Sequence, residues 1–167
     1  DCDFGTFALD PRFSLLDGRN ILSIRQDGFR RLWVLTDREI FIFQSGRLLR
    51  ASALVRGLKE IQDQQLWQSA FVWDAMRQGF WVGGSNPYFI DCIANTVYHR
   101  SYNPKNYPML MLNRVFAITL DHSGNLWYSS NDTSTLYFWD YRAEHVQAYK
   151  QFGDIKENLR NCPEMQE

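Results

Sequence analysis

The stretch that decides the fold runs from Asn113 to Asp140 and reads NRVFAITLDHSGNLWYSSNDTSTLYFWD. Its first part, Val115 to Leu120, is a mostly apolar run typical of a strand. A turn is predicted at Asp121 to Asn125, because Asp and Asn side chains bond their own backbone and glycine adopts positive φ without strain. The aromatic run Leu126 to Tyr128 predicts a second strand, and Thr135 to Trp139 predicts a third. The stretch is therefore a predicted three-strand meander.

The same unit occurs twice more upstream, and the three copies align on a tryptophan. Spacings of 48 and 46 residues separate the aligned positions, which are Trp33, Trp81 and Trp127. Asp27 and Asp121 lie six positions before the first and last of them, whereas the middle unit has Ala75 there and is predicted to lack this Asp. A period of about 40–50 residues with four strands per unit is the signature of a β-propeller blade.

The predicted fold class is all-β, with about three four-stranded antiparallel blades that form an incomplete β-propeller. The predicted blades span residues 20–60, 68–104 and 113–152, and a short helical turn is expected between Leu54 and Gln68. Residues 1–19 are predicted to be the end of a preceding blade or an N-terminal strand, and residues 153–167 a polar C-terminal tail. Since closed propellers usually have about 4–8 blades, either the chain belongs to a longer propeller or copies associate to complete a ring.

Composition narrows the function classes. The net charge of −1 over 167 residues gives no electrostatic footprint for nucleic acid or an anionic membrane. Aromatic residues make up 16% of the chain, which suits large flat side chains packed between sheets. No apolar run reaches the roughly 18 residues that a membrane-spanning helix needs. The chain begins Asp1-Cys2 rather than with Met, which is typical of a processed or trimmed product.

Cysteine spacing does not fix the redox state. The chain has three cysteines, Cys2, Cys92 and Cys162, with no Cys-x-x-Cys pair among them. Two states of the cysteines are compatible with the sequence. In one, a Cys2–Cys162 disulfide joins the two ends of the chain; in the other, which is the simpler interpretation, all three cysteines are thiols.

The segment Asp121 to Trp127 closely resembles the D-x-x-G-n-l-W heart of the two-component-regulator propeller repeat. The segment from Asn103-Pro104 through Ile118 is similar to the approach to that motif, which is a proline-bearing loop followed by n-x-v-x-x-I. Asp27 to Thr36 resembles it too, with Arg30-Arg31 in place of Gly-Asn. The middle unit keeps Gly79, Trp81 and Gly83. The resemblance covers Asn20 to Phe152.

Such repeats form periplasmic sensor propellers in large membrane-bound regulators of bacteria. The resemblance therefore implies a location on the periplasmic or extracellular side of a bacterial membrane and an extracellular cue. Because nothing in the chain resembles a kinase, receiver or DNA-binding domain, any signal output would lie outside it. Further propeller blades, or other copies of the chain, are the implied partners.

Positions that recur in every unit predict structural roles. Packing between neighbouring blades is favoured over sugar stacking for the repeated tryptophans. Turn formation is favoured over acid catalysis for Asp27 and Asp121. Gly124 is predicted to be a structural residue of the same repeat. A three-His metal site was weighed for the only histidines, His99, His122 and His145, but their predicted positions in outer strands and a turn do not favour it. No catalytic residue, metal or cofactor is predicted.

Ligands of propellers usually bind the loops that join the second strand to the third and one blade to the next. Here those loops are Asp37-Arg38, Ser85 to Tyr88, Asn131-Asp132, Gln62 to Trp67 and Tyr102 to Asn106. Aromatic rings would stack on a sugar and polar side chains would bind its hydroxyl groups. The predicted ligand-binding residues are Trp67, Tyr88, Tyr102, Asn131 and Asp132.

These features favour a non-enzymatic ligand-sensing or interaction module that responds to an oligosaccharide or another small extracellular ligand. One alternative is an intracellular scaffold propeller, because Leu136 to Asp140 ends like a WD repeat, although Trp33 and Trp81 have no matching Trp-Asp ending. The other is a secreted enzyme of the propeller lyase or lactonase type, or a relative of the royal-jelly and yellow proteins. A lactonase needs clustered carboxylates on inner strands, and the sequence shows no convincing cluster.

Overall fold

The computed structural model describes residues 10–63, 68–130 and 134–150 of the chain. Within these ranges twelve strands form three four-stranded antiparallel sheets, each ordered as in the sequence. Blade 1 consists of β1 (Ile21–Gln26), β2 (Leu32–Thr36), β3 (Ile40–Gln44) and β4 (Arg47–Arg50). Blade 2 consists of β5 (Gln68–Asp74), β6 (Gly79–Gly84), β7 (Tyr88–Asp91) and β8 (Thr96–Tyr98). Blade 3 consists of β9 (Ala117–Leu120), β10 (Leu126–Ser130), β11 (Thr135–Asp140) and β12 (His145–Tyr149). The predicted all-β class and its four-stranded blades are confirmed.

Short helical segments flank and join the blades. A 3-10 helix at Pro11–Leu16 precedes blade 1, and Asp10 caps its start by accepting the backbone N–H of Arg12 at 2.9 Å. The connection from blade 1 to blade 2 holds a 3-10 turn at Ala51–Ala53 and the helix α1 at Leu58–Asp63. A third 3-10 helix, Pro108–Met111, lies between blades 2 and 3.

The N-terminal segment was predicted to be the end of a preceding blade or a strand, and the structure of its described part differs. Residues 10–19, expected to belong to a preceding blade or an N-terminal strand, contain the Pro11–Leu16 helix and no strand. Proline suits the first turn of a helix, where its missing N–H leaves no bond unmade. Residues 1–9 and the predicted tail at 153–167 lie outside the described residues.

Tight turns join the strands, which is why each sheet follows the chain order. The link between β3 and β4 has two residues, Ser45 and Gly46, with φ of 51° and 76°. Positive φ at both central residues is the requirement of a type I′ turn, whose twist matches that of the flanking strands.

A buried aspartate organises the β1–β2 turn of blade 1. One oxygen of Asp27 accepts the backbone N–H groups of Phe29 at 2.8 Å and Arg31 at 2.9 Å. The other accepts the indole N–H of Trp33 at 2.8 Å. Blade 3 repeats the arrangement, with Asp121 accepting from two turn N–H groups and, at 3.4 Å, from the indole of Trp127.

Blade 2 has the same aspartate one position earlier in its sequence. Asp74 accepts the indole N–H of Trp81 at 2.9 Å and the backbone N–H groups of Met76 and Arg77 at 3.0 Å. The expectation that the middle unit lacks this Asp is therefore wrong. The turn there is one residue longer, so an alignment without a gap places Ala75 at the Asp position.

The repeated tryptophans lie on the face that meets the following blade. Trp33 is 1% exposed and its ring centroid lies 4.9 Å from that of Phe80 in blade 2. Trp81 is fully buried and stands edge-on to Trp139 of blade 3, with 6.1 Å between ring centroids. Trp127 is only partly buried, and its aromatic neighbours, Phe138 and Tyr149, belong to its own blade.

An arginine joins blade 2 to blade 3 beside these rings. Arg77 forms an ion pair with Asp74 and has a side chain that is 4% exposed. Its guanidinium carbon lies 4.5 Å from the ring centroid of Trp139 and 4.1 Å from that of Tyr141, both in blade 3. In blade 1, Arg31 pairs with its turn aspartate in the same way, at 2.5 Å. The planar guanidinium thus serves both a carboxylate and aromatic faces.

Gly124 is favoured by its backbone conformation, and it faces the side chain of Met76 in blade 2. Its φ is +80°, and a Cβ added there would lie 2.1 Å from the sulfur of Met76 in blade 2. Any side chain at this position would meet both the strained backbone and this sulfur.

Two alanine variants test the role of the tryptophans. We expect Trp81→Ala to lower the free energy of unfolding by about 3–5 kcal/mol, because it empties a fully buried site. Trp127→Ala is expected to cost about half as much, since the ring is part-exposed and has no aromatic neighbour in another blade among the described residues. Urea unfolding followed by circular dichroism measures both, and equal losses would contradict the inter-blade assignment.

Arg77→Lys tests the contact between blades 2 and 3. The ammonium keeps a charge near Asp74 but cannot stack on Trp139 and Tyr141, so we expect a loss of about 1–2 kcal/mol in unfolding free energy. The matched control is Arg142→Lys on the exposed β11–β12 turn, which is expected to change stability by less than about 0.5 kcal/mol. Equal stability of the two variants in urea unfolding would show that stacking contributes nothing.

Candidate ligand cleft

The structure has a cleft at one end of blade 1, where the chain leaves β2 and β4. It has a volume of about 350 Å³, within the range of small-molecule sites. The β2–β3 turn, the end of β4 and the connection to blade 2 supply its lining, which comprises Arg38, Glu39, Arg50, Ser52, Ala53, Lys59, Gln62 and Asp63.

The first wall is the β2–β3 turn, and a buried threonine holds it in place. The hydroxyl of Thr36 donates to the carbonyl of Glu39 at 2.7 Å and accepts the backbone N–H groups of Glu39 at 3.0 Å and Arg38 at 3.3 Å. Thr36 is fully buried. The hydroxyl of Thr36 therefore fixes the backbone of the turn that carries Arg38.

The second wall is α1, which is oriented by its apolar side. Leu58 and Ile61 are buried in the core between blades 1 and 2, three positions apart on one face of the helix. Lys59 and Asp63 are exposed, one helical turn apart, and both line the cleft. Gln62 also lines it and is 9% exposed.

The connection that carries α1 is anchored to blade 2. The backbone N–H of Arg56 donates to the carbonyl of Asn95 at 2.9 Å, and Val97 donates its N–H to the carbonyl of Arg56 at 3.2 Å. Arg56 thus pairs in parallel with Thr96 at the start of β8. The cleft therefore has one wall on blade 1 and another on a segment bonded to blade 2.

Some charged side chains around the cleft form ion pairs and others do not. Glu39 forms ion pairs with Arg19 at 2.8 Å and with Arg50 at 3.2 Å. In residues 10–63, 68–130 and 134–150, neither Arg38 nor Lys59 has an ion pair. The side-chain nitrogen of Gln62 is buried and without a hydrogen-bond partner. An unmade bond at such a buried donor costs about 1–3 kcal/mol.

The predicted ligand-binding residues lie in different environments. Tyr88 is fully buried between blades 1 and 2, and burial raises the pKa of its hydroxyl far above the ordinary range. Its ring is inaccessible, so the expectation that it stacks on a ligand does not fit this conformation; β7 is covered on both faces. Tyr102 is 47% exposed and stands edge-on to Tyr98 at 5.8 Å between centroids. Trp67, Asn131 and Asp132 lie outside the described residues.

The cleft overlaps the predicted loops but not the predicted residues. Arg38 and Gln62 belong to two of those loops, whereas Tyr102 lies in the next connection and does not line the cleft. Sequence reasoning missed Arg50 and Lys59. The spacing of Leu58 and Ile61 is the signal that could have found Lys59, because two apolar residues three apart indicate a helix whose other side carries polar groups.

The histidines are spread over three places. His99 follows β8, and burial lowers the pKa of its imidazole. His122 lies in the β9–β10 turn and His145 begins β12. Across the part of the chain that the structure describes, no three His, Cys, Asp or Glu side chains are grouped as metal ligands would be. Among the described helices, none has the length and apolar character needed to cross a membrane.

Solved structures with the same fold are known. One is the extracellular domain of BT3049 from B. thetaiotaomicron, provisionally assigned as a hybrid two component system, with a TM-score of 0.55 and 19% identity. It matches 78% of this chain and 18% of the other. A second is the extracellular domain of BT4673 from the same organism, provisionally assigned as a one component system, with a TM-score of 0.52, 15% identity and coverage of 80% and 18%.

The chain thus spans 18% of the length of each of these two solved chains. Their likeness places the described blades in the same fold as these extracellular domains. No family model matches the sequence. No curated protein matches it either.

Alkylation tests the environment of Cys92, which lies between blades 1 and 2. The residue is 5% exposed, and burial raises its pKa to about 12. At pH 8 only about one thiol in ten thousand would be ionised, so we expect iodoacetamide to leave Cys92 unmodified in the folded protein and to label it in urea. Peptide mass spectrometry separates it from Cys2 and Cys162, and rapid labelling without urea would contradict this burial.

Proposed function

We propose that this chain is a non-enzymatic ligand-sensing module within the extracytoplasmic propeller of a two-component-type regulator. The observation that carries the proposal is the fold likeness, over 78% and 80% of the chain, to the extracellular domains of one protein assigned to a hybrid two component system and of another assigned to a one component system. The resemblance of Asp121 to Trp127 to the propeller repeat of such regulators supports it independently.

The cleft supplies a physical route from ligand to signal. Its walls belong to blade 1 and to a segment bonded to blade 2, so a ligand that contacts both favours one relative position of the blades. A ligand shifts a conformational equilibrium only by its difference in affinity for the two states. Ligand binding at this boundary would change blade packing and bias a transmembrane partner.

The proposed location is the periplasmic or extracellular side of a bacterial membrane, and the proposed cue is a small extracellular molecule such as an oligosaccharide. The proposed partners are further blades or a second copy of the chain. The partly exposed Trp127 supports them, since its counterparts in blades 1 and 2 are covered by the next blade.

Protease accessibility and thermal stability together test this function. In the native cells, proteinase K added to intact spheroplasts is expected to digest the chain while sparing a cytoplasmic marker. Among a panel of oligosaccharides, at least one is expected to raise the melting temperature of the protein, by the equivalent of about 2.7 kcal/mol at a hundredfold excess over its Kd. Protection from protease would overturn the location, and a panel without any stabilising member would overturn carbohydrate sensing.

A further inference from the structure

We infer that the cleft beside Arg38 and Lys59 binds a small organic molecule through an oxyanion, such as a carboxylate or a sulfate ester. The inference rests on the proposed function and names the ligand class of the same site. It is drawn from the donors that line the cleft and from the charge that they leave unbalanced.

The charge of the lining is the first argument. Arg38, Arg50 and Lys59 contribute three positive charges, and Glu39 and Asp63 contribute two negative ones, which leaves +1. The carboxylate of Glu39 is already shared between Arg19 and Arg50. Arg19 is not part of the lining, so its charge adds to this remainder, and the cleft carries a positive excess that a negatively charged oxyanion would neutralise in part.

The second argument is the kind of hydrogen-bonding group that has no partner. Gln62 lines the cleft and is 9% exposed, and its buried side-chain nitrogen has no hydrogen-bond partner among the described residues. An amide nitrogen, an ammonium and a guanidinium are all donors, so the three side chains at this site require an acceptor. A carboxylate or sulfate oxygen is the acceptor that satisfies an amide and a cation together.

The third argument is that the site is held in place before a ligand arrives. The turn that carries Arg38 is fixed by Thr36, and the helix that carries Lys59 and Gln62 is fixed by Leu58 and Ile61 in the core. Arg38 would offer its planar fork to two oxygens, and Lys59 would supply a second charge. Ser52 and Asp63 on the lining are suited to hydroxyl groups elsewhere on the ligand.

Titration of the full chain with matched small probes tests the inference. D-glucuronate and D-glucose share a ring and differ in the carboxylate, and methyl sulfate and methyl phosphate test the charge. The readout is the ¹⁵N-labelled side-chain amide of Gln62 in NMR spectra. We expect D-glucuronate, methyl sulfate or both to shift this signal and to bind at least about tenfold more tightly than D-glucose. Which of the two binds identifies the source of the oxyanion.

Variants separate a specific site from a general salt effect. Arg38→Gln with Lys59→Gln removes two exposed cations and is expected to weaken binding of the anionic probe at least about tenfold. Lys105→Gln with Arg142→Gln removes two exposed cations that do not line the cleft, and is expected to leave binding unchanged. Loss of binding in both double variants would overturn the assignment.

Other outcomes would also overturn it. These are equal binding of D-glucose and D-glucuronate, and the absence of any shift of the Gln62 signal at tens of millimolar of every probe. The proposed sensor function fails on different evidence, namely protease protection and an inactive oligosaccharide panel. A failure of one is therefore distinguishable from a failure of the other.

Discussion

The three blades depend on one repeated interaction, a carboxylate that bonds a turn through one oxygen and an indole through the other, and that is buried in blades 1 and 2 and part-buried in blade 3. Asp27 and Asp74 are 5% and 0% exposed, so their oxygens need partners inside the protein. The backbone N–H groups of the turn and the indole N–H of the next strand supply them. Because one side chain fixes both, the position of the tryptophan ring is set by the geometry of the turn.

The ring then determines how one blade meets the next. In blade 2 the aspartate also pairs with Arg77, whose guanidinium reaches the aromatic rings of blade 3. Blade 3 has Asn125 in the place of this arginine, and its amide donates to Asp121 at 3.0 Å. Stability in such repeats is approximately a sum over single units and their nearest neighbours. The candidate cleft lies at the opposite end of the blades from the turns that hold these aspartates. A ligand in the cleft therefore does not disturb the bonds between each aspartate, its turn and its tryptophan.

The sequence predicted the blades well because their signals are local. The apolar and aromatic runs Val115 to Leu120, Leu126 to Tyr128 and Thr135 to Trp139 predicted three strands, which the structure has at Ala117–Leu120, Leu126–Ser130 and Thr135–Asp140. An alignment without a gap misses Asp74, because the longer turn places this residue seven positions before its tryptophan instead of six. Its hydrogen bonds to the turn and to the indole are the same as in the other blades. Tyr88 was assigned to a ligand because it adjoins a loop, while its burial depends on blade 1 packing over β7. The cleft was predictable only as a set of loops, since Arg38 and Gln62 meet through tertiary structure.

The pairing of Arg56 with β8 has a consequence for how this protein tolerates change. An outer strand with free N–H and C=O groups is a template for aggregation between molecules. Arg56 bonds across part of that edge in blade 2, and the Pro11–Leu16 helix packs beside β4 in blade 1. An insertion between Ala51 and Arg56 would pull this bond out of register and uncover the strand. Length variation among natural variants should therefore be confined to turns that leave Arg56 in place.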